Sequence, residues 1–443
     1  HVDIPLCATN RINEPLTAEQ VIADGYADMV SMARPFLADP NFIQKAQEGR
    51  EDEINTCIGC NQACLDNVFQ AKRASCLVNP YAGYEKDLEV KLPSQSDLET
   101  MNVAVIGGGP AGLACATTLG KRGIKTTLFE KDEIVGGQFN LAKRVPGKEE
   151  FYETLRYFRK QLDLNNVDVI LGKEVSPDDI ANSSFTHVVL STGVVPRNLN
   201  IQGSDHPKVI GYTDVLQGKV KVGQKVAVVG AGGIGFDVSE FLSDPKGDLT
   251  SEGPQAGIAK EEKIKEFAEE WNIDMSQGER GGLLAQKGTD FHASDRQIFL
   301  LQRKTSKHGK GLGKTTGWIH RTSLKNRKVE MIGGVEYKRV SDEGLHLSVK
   351  GKDMLLNVDH VVVCAGQESN RDLWNTLNED DSRKYFLIGG SETAAEVDAM
   401  RAIDQGTRLG LKIETANTGD VFNQPVSTSF KIFSAARRLL MKD

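Results

Sequence analysis

NVAVIGGGPAGLACATTLGKRG, residues 102–123, is the stretch whose reading decides the fold. Five residues of strand character, Asn102 to Ile106, run into Gly107, Gly109 and Gly112 in the spacing G-x-G-x-x-G. A helix pattern opens directly afterwards on Pro110 and Ala111. Glycine at these positions permits a tight turn and lets a pyrophosphate approach the backbone, where it rests on the positive end of the helix. A second strand, KTTLFEK, ends at Glu130, where a carboxylate can accept hydrogen bonds from an adenosine ribose. Strand, glycine turn, helix, strand and acid in this order predict a Rossmann-like unit for FAD. The next glycine turn, GGQF at 136–139, places Gly137 and Gln138 on the expected path of the flavin ring.

The pattern recurs downstream. KVAVVGAGGIGFDVSEFL supplies a strand, then Gly230, Gly232, Gly233, Ile234 and Gly235 at a second helix start. Two fingerprints in one chain predict two dinucleotides, one per domain. The strand that resumes at QIFLLQRK ends in Arg303 and Lys304, read as taking the place that Glu130 has in the first repeat. A carboxylate there repels a 2′-phosphate and two cations attract it, so NADP is expected over NAD. An insertion of about 243–296 precedes that strand and carries a charged helical stretch, IAKEEKIKEFAEEW, read as a solvated face. GKGLGKTTGWIHR, 309–321, is glycine-rich and basic and is suggested to close over the nicotinamide half.

Between and beyond the repeats lie buried-strand runs ending in small residues. Thr192 and Gly193 follow HVVLS, Ala365 and Gly366 follow VVVC, and Gly389 and Gly390 follow YFLI, before the helix pattern AAEVDAMRAIDQGTRLG. The last of these reads as a return to the first nucleotide fold, which is therefore expected to be discontinuous.

Upstream, CIGCNQACLDNVFQAKRASC spaces Cys57, Cys60, Cys64 and Cys76 as C-x2-C-x3-C-x11-C. Three thiolates in a short span and a fourth from a later turn suit a [4Fe-4S] cluster, which needs one sulfur per iron. Structural zinc and a disulfide framework stay open as alternatives, although zinc usually takes two separated C-x2-C pairs. Cys7, Cys115 and Cys364 sit in apolar stretches and are expected to be buried and inert.

The first fifty residues read as strand, loop, helix, strand, a βαβ unit too small to bury its own sheet. Its two strands end in Arg11 and Arg34. In a (β/α)8 barrel the loops after the last two strands form the usual phosphate site. Two arginines there, with backbone N–H groups near Ala33, would hold an FMN phosphate by charge-assisted bonds. Two exposed arginines at strand ends are the plainer reading.

With 443 residues and a net charge of −7 of interspersed sign, the chain has room for two or three domains and no call for nucleic acid as a partner. No apolar run approaches the roughly 20 residues that span a bilayer, and no secretory leader is visible. Neither a membrane nor secretion is expected, and thiols committed to a cluster fit a reducing cytoplasm. Asp3, His292 and the other histidines form no metal or triad constellation.

Taken together, CIGCNQACLD with Cys76, GGGPAGL, PGKEEFYETLRYFRK, GAGGIGFDVS, LLQRK, GLGKTTGWIHRTSL, VCAGQ and RAIDQGTRL resemble the bacterial NADPH-dependent 2,4-dienoyl-CoA reductases. These are iron–sulfur flavoenzymes related to old yellow enzyme and, more distantly, to trimethylamine dehydrogenase. The resemblance implies an α/β chain with a C-terminal remnant of a (β/α)8 barrel (1–50), a cluster segment (51–84) and a linker (85–101). Two Rossmann-like domains of glutathione-reductase type then bind FAD (102–200 and 385–411) and NADP (201–384), followed by an extension (412–443). It also implies Arg11, Ala33 and Arg34 at FMN, Glu130 and Gln138 at FAD, and the four cysteines on the cluster. Electrons are expected to pass from NADPH through FAD and cluster to FMN and, in the intact family, to an acyl-CoA substrate in unsaturated fatty-acid oxidation. The catalytic tyrosine and histidine of the family have no counterpart here, and the chain opens inside a strand. The expectation is an electron-input half, with a monomer compatible with it. Rival readings are a related enone, amine or acyl-CoA oxidoreductase, and an electron-transfer subunit serving a separate partner.

Overall fold

A computed structural model describes residues 3–244, 260–284, 294–377, 382–394 and 398–425. Much of the expected insertion (245–259 and 285–293, with His292) and the end of the C-terminal extension (426–443) lie outside the described residues. The chain divides into two units, one of His1–Asn140, Glu150–Val195 and Gln367–Asp443, the other of Leu141–Glu149 and Pro196–Gly366. Residues 141–149 and 196–200, expected in the FAD domain, therefore go with the second unit, and 367–384, expected in the NADP domain, go with the first. The barrel-like start, the cysteine segment and the first nucleotide fold all belong to one unit.

That unit is built on a five-stranded parallel sheet. Its order is Lys384–Leu387, His187–Leu190, Asn102–Ile106, Lys125–Phe129, Asp168–Ile170. Strands covered on both faces read as continuous apolar runs, and His187–Leu190 is buried at all four positions. The discontinuity expected from the sequence is this sheet's first strand, which returns from the far end of the chain. The helix that follows it, Ala399–Gly410, packs on the helix Pro110–Lys121. Their approach is so close that a Cβ at Gly406 would lie 2.1 Å from the Ala111 carbonyl oxygen. This helix begins at Ala399, later than the sequence pattern suggested, with Asp398 capping Met400 N–H.

The first fifty residues form the expected βαβ piece. Cys7–Thr9 and Met29–Ser31 pair in parallel on either side of the helix Pro15–Ala23. Neither short strand buries a residue, and Cys7 is exposed rather than buried as expected, because a two-stranded sheet has no second layer to cover it. Cys115 and Cys364 are buried.

The second unit repeats the nucleotide fold with the order Glu330–Gly333, Gln297–Gln302, Lys225–Val229, His360–Val363, Val209–Gly211. An antiparallel meander, Val335–Ser341, Gly344–Val349 and Lys352–Leu356, adds a small second sheet. The insertion contributes one described helix, Lys260–Glu270. Among the described residues no helix is long and apolar enough to cross a membrane.

Candidate functional site

In both glycine loops the same division of labour holds. Gly107 takes φ 108° and Gly230 φ 112°, backbone that side-chain-bearing residues rarely adopt. Gly112 packs on its own loop, where a Cβ would meet the Gly107 carbonyl oxygen at 1.9 Å; at Gly235 the Gly230 oxygen would be 1.7 Å away. Gly109, Gly232 and Gly233 have open space before them. Gly109 and Gly232 cap the helices Pro110–Lys121 and Gly233–Ser243 without a side chain, so the first N–H groups of each helix stay available to an anion. Pro110 and Ala111 form the first helical turn, and Ile234 packs its half-buried side chain on the second core.

Glu130 is nearly buried and is tied to the loop itself. One oxygen accepts from Gly108 N–H at 2.7 Å and the other from Asp132 N–H at 3.0 Å. A carboxylate held by two backbone donors is fixed in place and faces the nucleotide loop. Gly136 N–H donates to Gly108 O at 2.8 Å, so the GGQF turn lies over the first loop; a Cβ at Gly137 would be 3.0 Å from Gly109 Cα. Gln138 follows in that turn. The small-residue ends of the sheet converge as well. Thr192 Oγ1 donates to Asn370 O at 2.8 Å, and Asn370 N–H donates to Gly193 O at 3.0 Å. Gly390 packs on Gly193, and Gly389 N–H donates to Gln405 Oε1 at 2.7 Å. The contacts of Gln405 and of Arg401, which donates to Gly389 O at 3.2 Å, could have been suspected only from the RAIDQGTRL run.

In the second unit one expectation shifts by a residue. Gly107 N–H donates to Phe129 O and Gly230 N–H to Leu301 O, so the strand registers match and Gln302, not Arg303, occupies the place of Glu130. Gln302 spends its amide on the carbonyl of Ser306. Arg303 and Lys304 follow directly and are exposed. The neutral residue removes the carboxylate and the next two supply the positive charge, so the electrostatic argument keeps its sign. Ala365 and Gly366 end the strand His360–Val363 beside Gly230, and Gly366 O accepts from Arg197 N–H at 3.1 Å.

The four cysteines are free thiols, each half-buried. Cys57, Cys60 and Cys76 pack against the core that also holds Ala111 and Ala114 of the first glycine-loop helix. Burial pushes the Cys60 and Cys76 thiols up to about 12 and raises Cys57, and the neighbouring cysteines push the same way. Against this, backbone N–H groups point at the sulfurs: Gly59 at Cys57, Gln62 at Cys60, and both Val78 and Asn79 at Cys76. Such donors favour the thiolate, the form that binds metal. Among the described residues no three His, Cys, Asp or Glu side chains are arranged to hold a single metal ion. By its chemistry, four free thiols with backbone donors at three of them, the donor set is the one a [4Fe-4S] cluster takes, one sulfur per iron.

Arg11, Ala33 and Arg34 line one open cleft together with Cys57 and Gly59. Arg34, half-buried, opens a short helix capped by Ala33 and donates to Asn61 Oδ1 at 2.6 Å. Arg11, exposed, pairs with Glu150 at 2.8 Å. The helix Phe151–Leu164 braces the same region: Arg156 donates to the carbonyls of Asp52 and Ile54 and to Thr56 Oγ1, just before the first cysteine.

Residues 101–388 match the model of the pyridine nucleotide-disulphide oxidoreductases, and residues 1–53 that of the NADH:flavin oxidoreductase / NADH oxidase family. A metal reductase of Desulforamulus reducens is 32% identical over 93% of this chain and 58% of its own length. A cinnamate reductase of Clostridium sporogenes is 27% identical over 86% of the chain and 49% of its own. The structure of a 2-naphthoyl-CoA reductase in complex with 2-naphthoyl-CoA superposes with a TM-score of 0.77 at 26% identity, over 93% of this chain and 54% of that one. The chain thus spans roughly half the length of these relatives.

Proposed function

We propose that this chain, which belongs to the pyridine nucleotide-disulphide oxidoreductase family, is the nicotinamide-oxidising part of an iron–sulfur flavoenzyme of the old yellow enzyme and dienoyl-CoA reductase group. Use of a flavin and of a nicotinamide nucleotide comes with the family; the assignment of each cofactor to particular residues is our reading. Bound NADPH, FAD, [4Fe-4S] cluster and FMN would supply hydride transfer at one end and one-electron transfer in the middle. The chain's own residues do the holding. Gly107, Gly109 and Gly112 with Glu130 seat the flavin dinucleotide, and Thr192, Gly193, Gly389 and Gly390 close small-residue walls beside it. Gly230, Gly232 and Gly235 seat the nicotinamide dinucleotide, with Arg303 and Lys304 toward its 2′-phosphate. Cys57, Cys60, Cys64 and Cys76 hold the cluster, and Arg11 and Arg34 with the backbone at Ala33 meet the FMN phosphate.

One observation carries the reading most. Three of the four thiols, Cys57, Cys60 and Cys76, pack on the same core as the first glycine-loop helix, and Cys57 also lines the basic cleft. For the whole protein we assign a conjugated acyl thioester of the 2,4-dienoyl-CoA type as electron acceptor, a substrate class supported by the similarity to the 2-naphthoyl-CoA reductase. Anaerobic purification tests the core of it. About four irons and four acid-labile sulfides per chain are expected from four ligands, with NADPH bleaching the flavin. Zinc without sulfide, or flavin that NADPH leaves oxidised, would overturn the assignment.

A further inference from the structure

The two arginines of the basic cleft are not free to serve an anion alone, because both are seated on the cysteine loop. The guanidinium of Arg11 lies against Gly59, so near that a Cβ there would fall 1.7 Å from Nη1. Gly59 sits at φ 63° between Cys57 and Cys60. Arg34 donates to Asn61 Oδ1 at 2.6 Å, on the residue after Cys60. A third contact comes from the same strand-end loop, with Asn13 Nδ2 donating to the carbonyl of Cys57 at 2.8 Å. Asn10, Arg11 and Asn61 all hold positive φ, at 75°, 55° and 60°. Asparagine tolerates this region, but Arg11 does so at a cost that its surroundings must offset.

We infer that Arg11 and Arg34 are positioning residues for the CIGCN loop as well as anion ligands, so that occupation of the cleft by a phosphate and retention of the cluster are thermodynamically linked. This rests on the reading of cleft and cluster given above. A guanidinium carries five N–H donors in a rigid fork, so Arg34 can keep Asn61 while a second edge meets a phosphate. Arg11 pairs with Glu150 through Nη2 and touches Gly59 with Nη1; being largely exposed, its ion pair contributes little and exchanges readily for a dianion. An anion that immobilises both forks also immobilises the backbone on which they sit, between the first and third cluster ligands. By reciprocity, a loop ordered by the bound cluster presents the arginines ready-placed and tightens the anion.

The test measures iron release rather than turnover. Full-length, cluster-loaded protein is challenged anaerobically with a chelator that colours on binding iron, with FMN, with riboflavin, which lacks the phosphate, or with no addition. FMN should slow iron release about fivefold or more, and riboflavin should not. In Arg34→Ala, FMN binding should weaken and the basal release should quicken by a similar factor. Arg34→Lys, which keeps the charge and loses the fork, should recover FMN binding in part but not the slow release. Equal release with and without FMN in the native protein, or an Arg34→Ala variant that loses FMN but releases iron at the native rate, overturns the linkage. Protein that carries no iron or takes no FMN fails at the earlier step, the functional reading itself.

Discussion

Gly109 and Gly112, three residues apart in one loop, respond to the same substitution for different reasons, and Gly232 and Gly235 repeat the pair. Gly109 and Gly232 have ordinary φ of −76° and −84° and open space before them, so alanine there fits the protein but obstructs a pyrophosphate. Gly109→Ala and Gly232→Ala should stay within about 0.5 kcal/mol of native stability while losing FAD and NADPH affinity respectively. Gly112→Ala and Gly235→Ala push a methyl into a backbone oxygen and should cost about 3 kcal/mol or more, visible as a lower urea midpoint. If all four variants are equally stable, the close approach argued from the loops is wrong. Arg303 and Lys304 invite a second test. Replacing both by neutral residues should weaken NADPH roughly tenfold or more while leaving NADH nearly unchanged, since only the former brings a 2′-phosphate to lose charge-assisted bonds. Equal losses for the two nucleotides, measured by titration, would move the specificity elsewhere, Gln302 being the first place to look.

At the scale of elements, the strand His187–Leu190 is an inner strand of the first sheet, and its leading histidine is a pH-sensitive point. The ring stacks on Phe386 at 6.3 Å and lies 2.8 Å from Thr186 Oγ1. Burial foremost, then nearby Lys384, lowers its pKa to about 4. The unfolded chain titrates near 6.5 and so binds the proton first as pH falls. The neutral-histidine contribution is therefore present above about 6.5 and is lost as pH drops toward about 4. His187→Phe should flatten the fall in unfolding midpoint between pH 7 and pH 4.5; an unchanged slope would assign the acid sensitivity to other groups. The elements themselves were differently legible. Strands buried on both faces, such as those ending at Gly107 and Gly230, carry continuous apolar runs that nothing else in the chain imitates. The one-residue shift that gives Gln302 the position in its own fold that Glu130 has in the first was hidden, because only backbone pairing fixes where a strand ends. Cys7 misled for a related reason: its apolar neighbours suggest a core, but two strands make none.

Across the whole molecule, the discontinuity of the first nucleotide fold was readable because YFLIGG and RAIDQGTRL repeat the buried-strand and helix grammar far from their partners. The contacts that join cysteine loop to cleft were not. Arg11 on Gly59, Asn13 on Cys57 and Arg34 on Asn61 bridge up to 48 positions in sequence, and no local pattern announces them. Likewise the brace from Arg156 to the approach of Cys57 spans about a hundred residues. The sheet order has a consequence for how the chain is made. Lys384–Leu387 pairs with His187–Leu190, so the ribosome must add nearly two hundred residues before the older strand gains that neighbour. At 5–20 residues per second the wait is about 10–40 s. All of Pro196–Gly366 emerges within it. The fold encoded second is thus complete in the nascent chain while the fold encoded first still waits for its final strand.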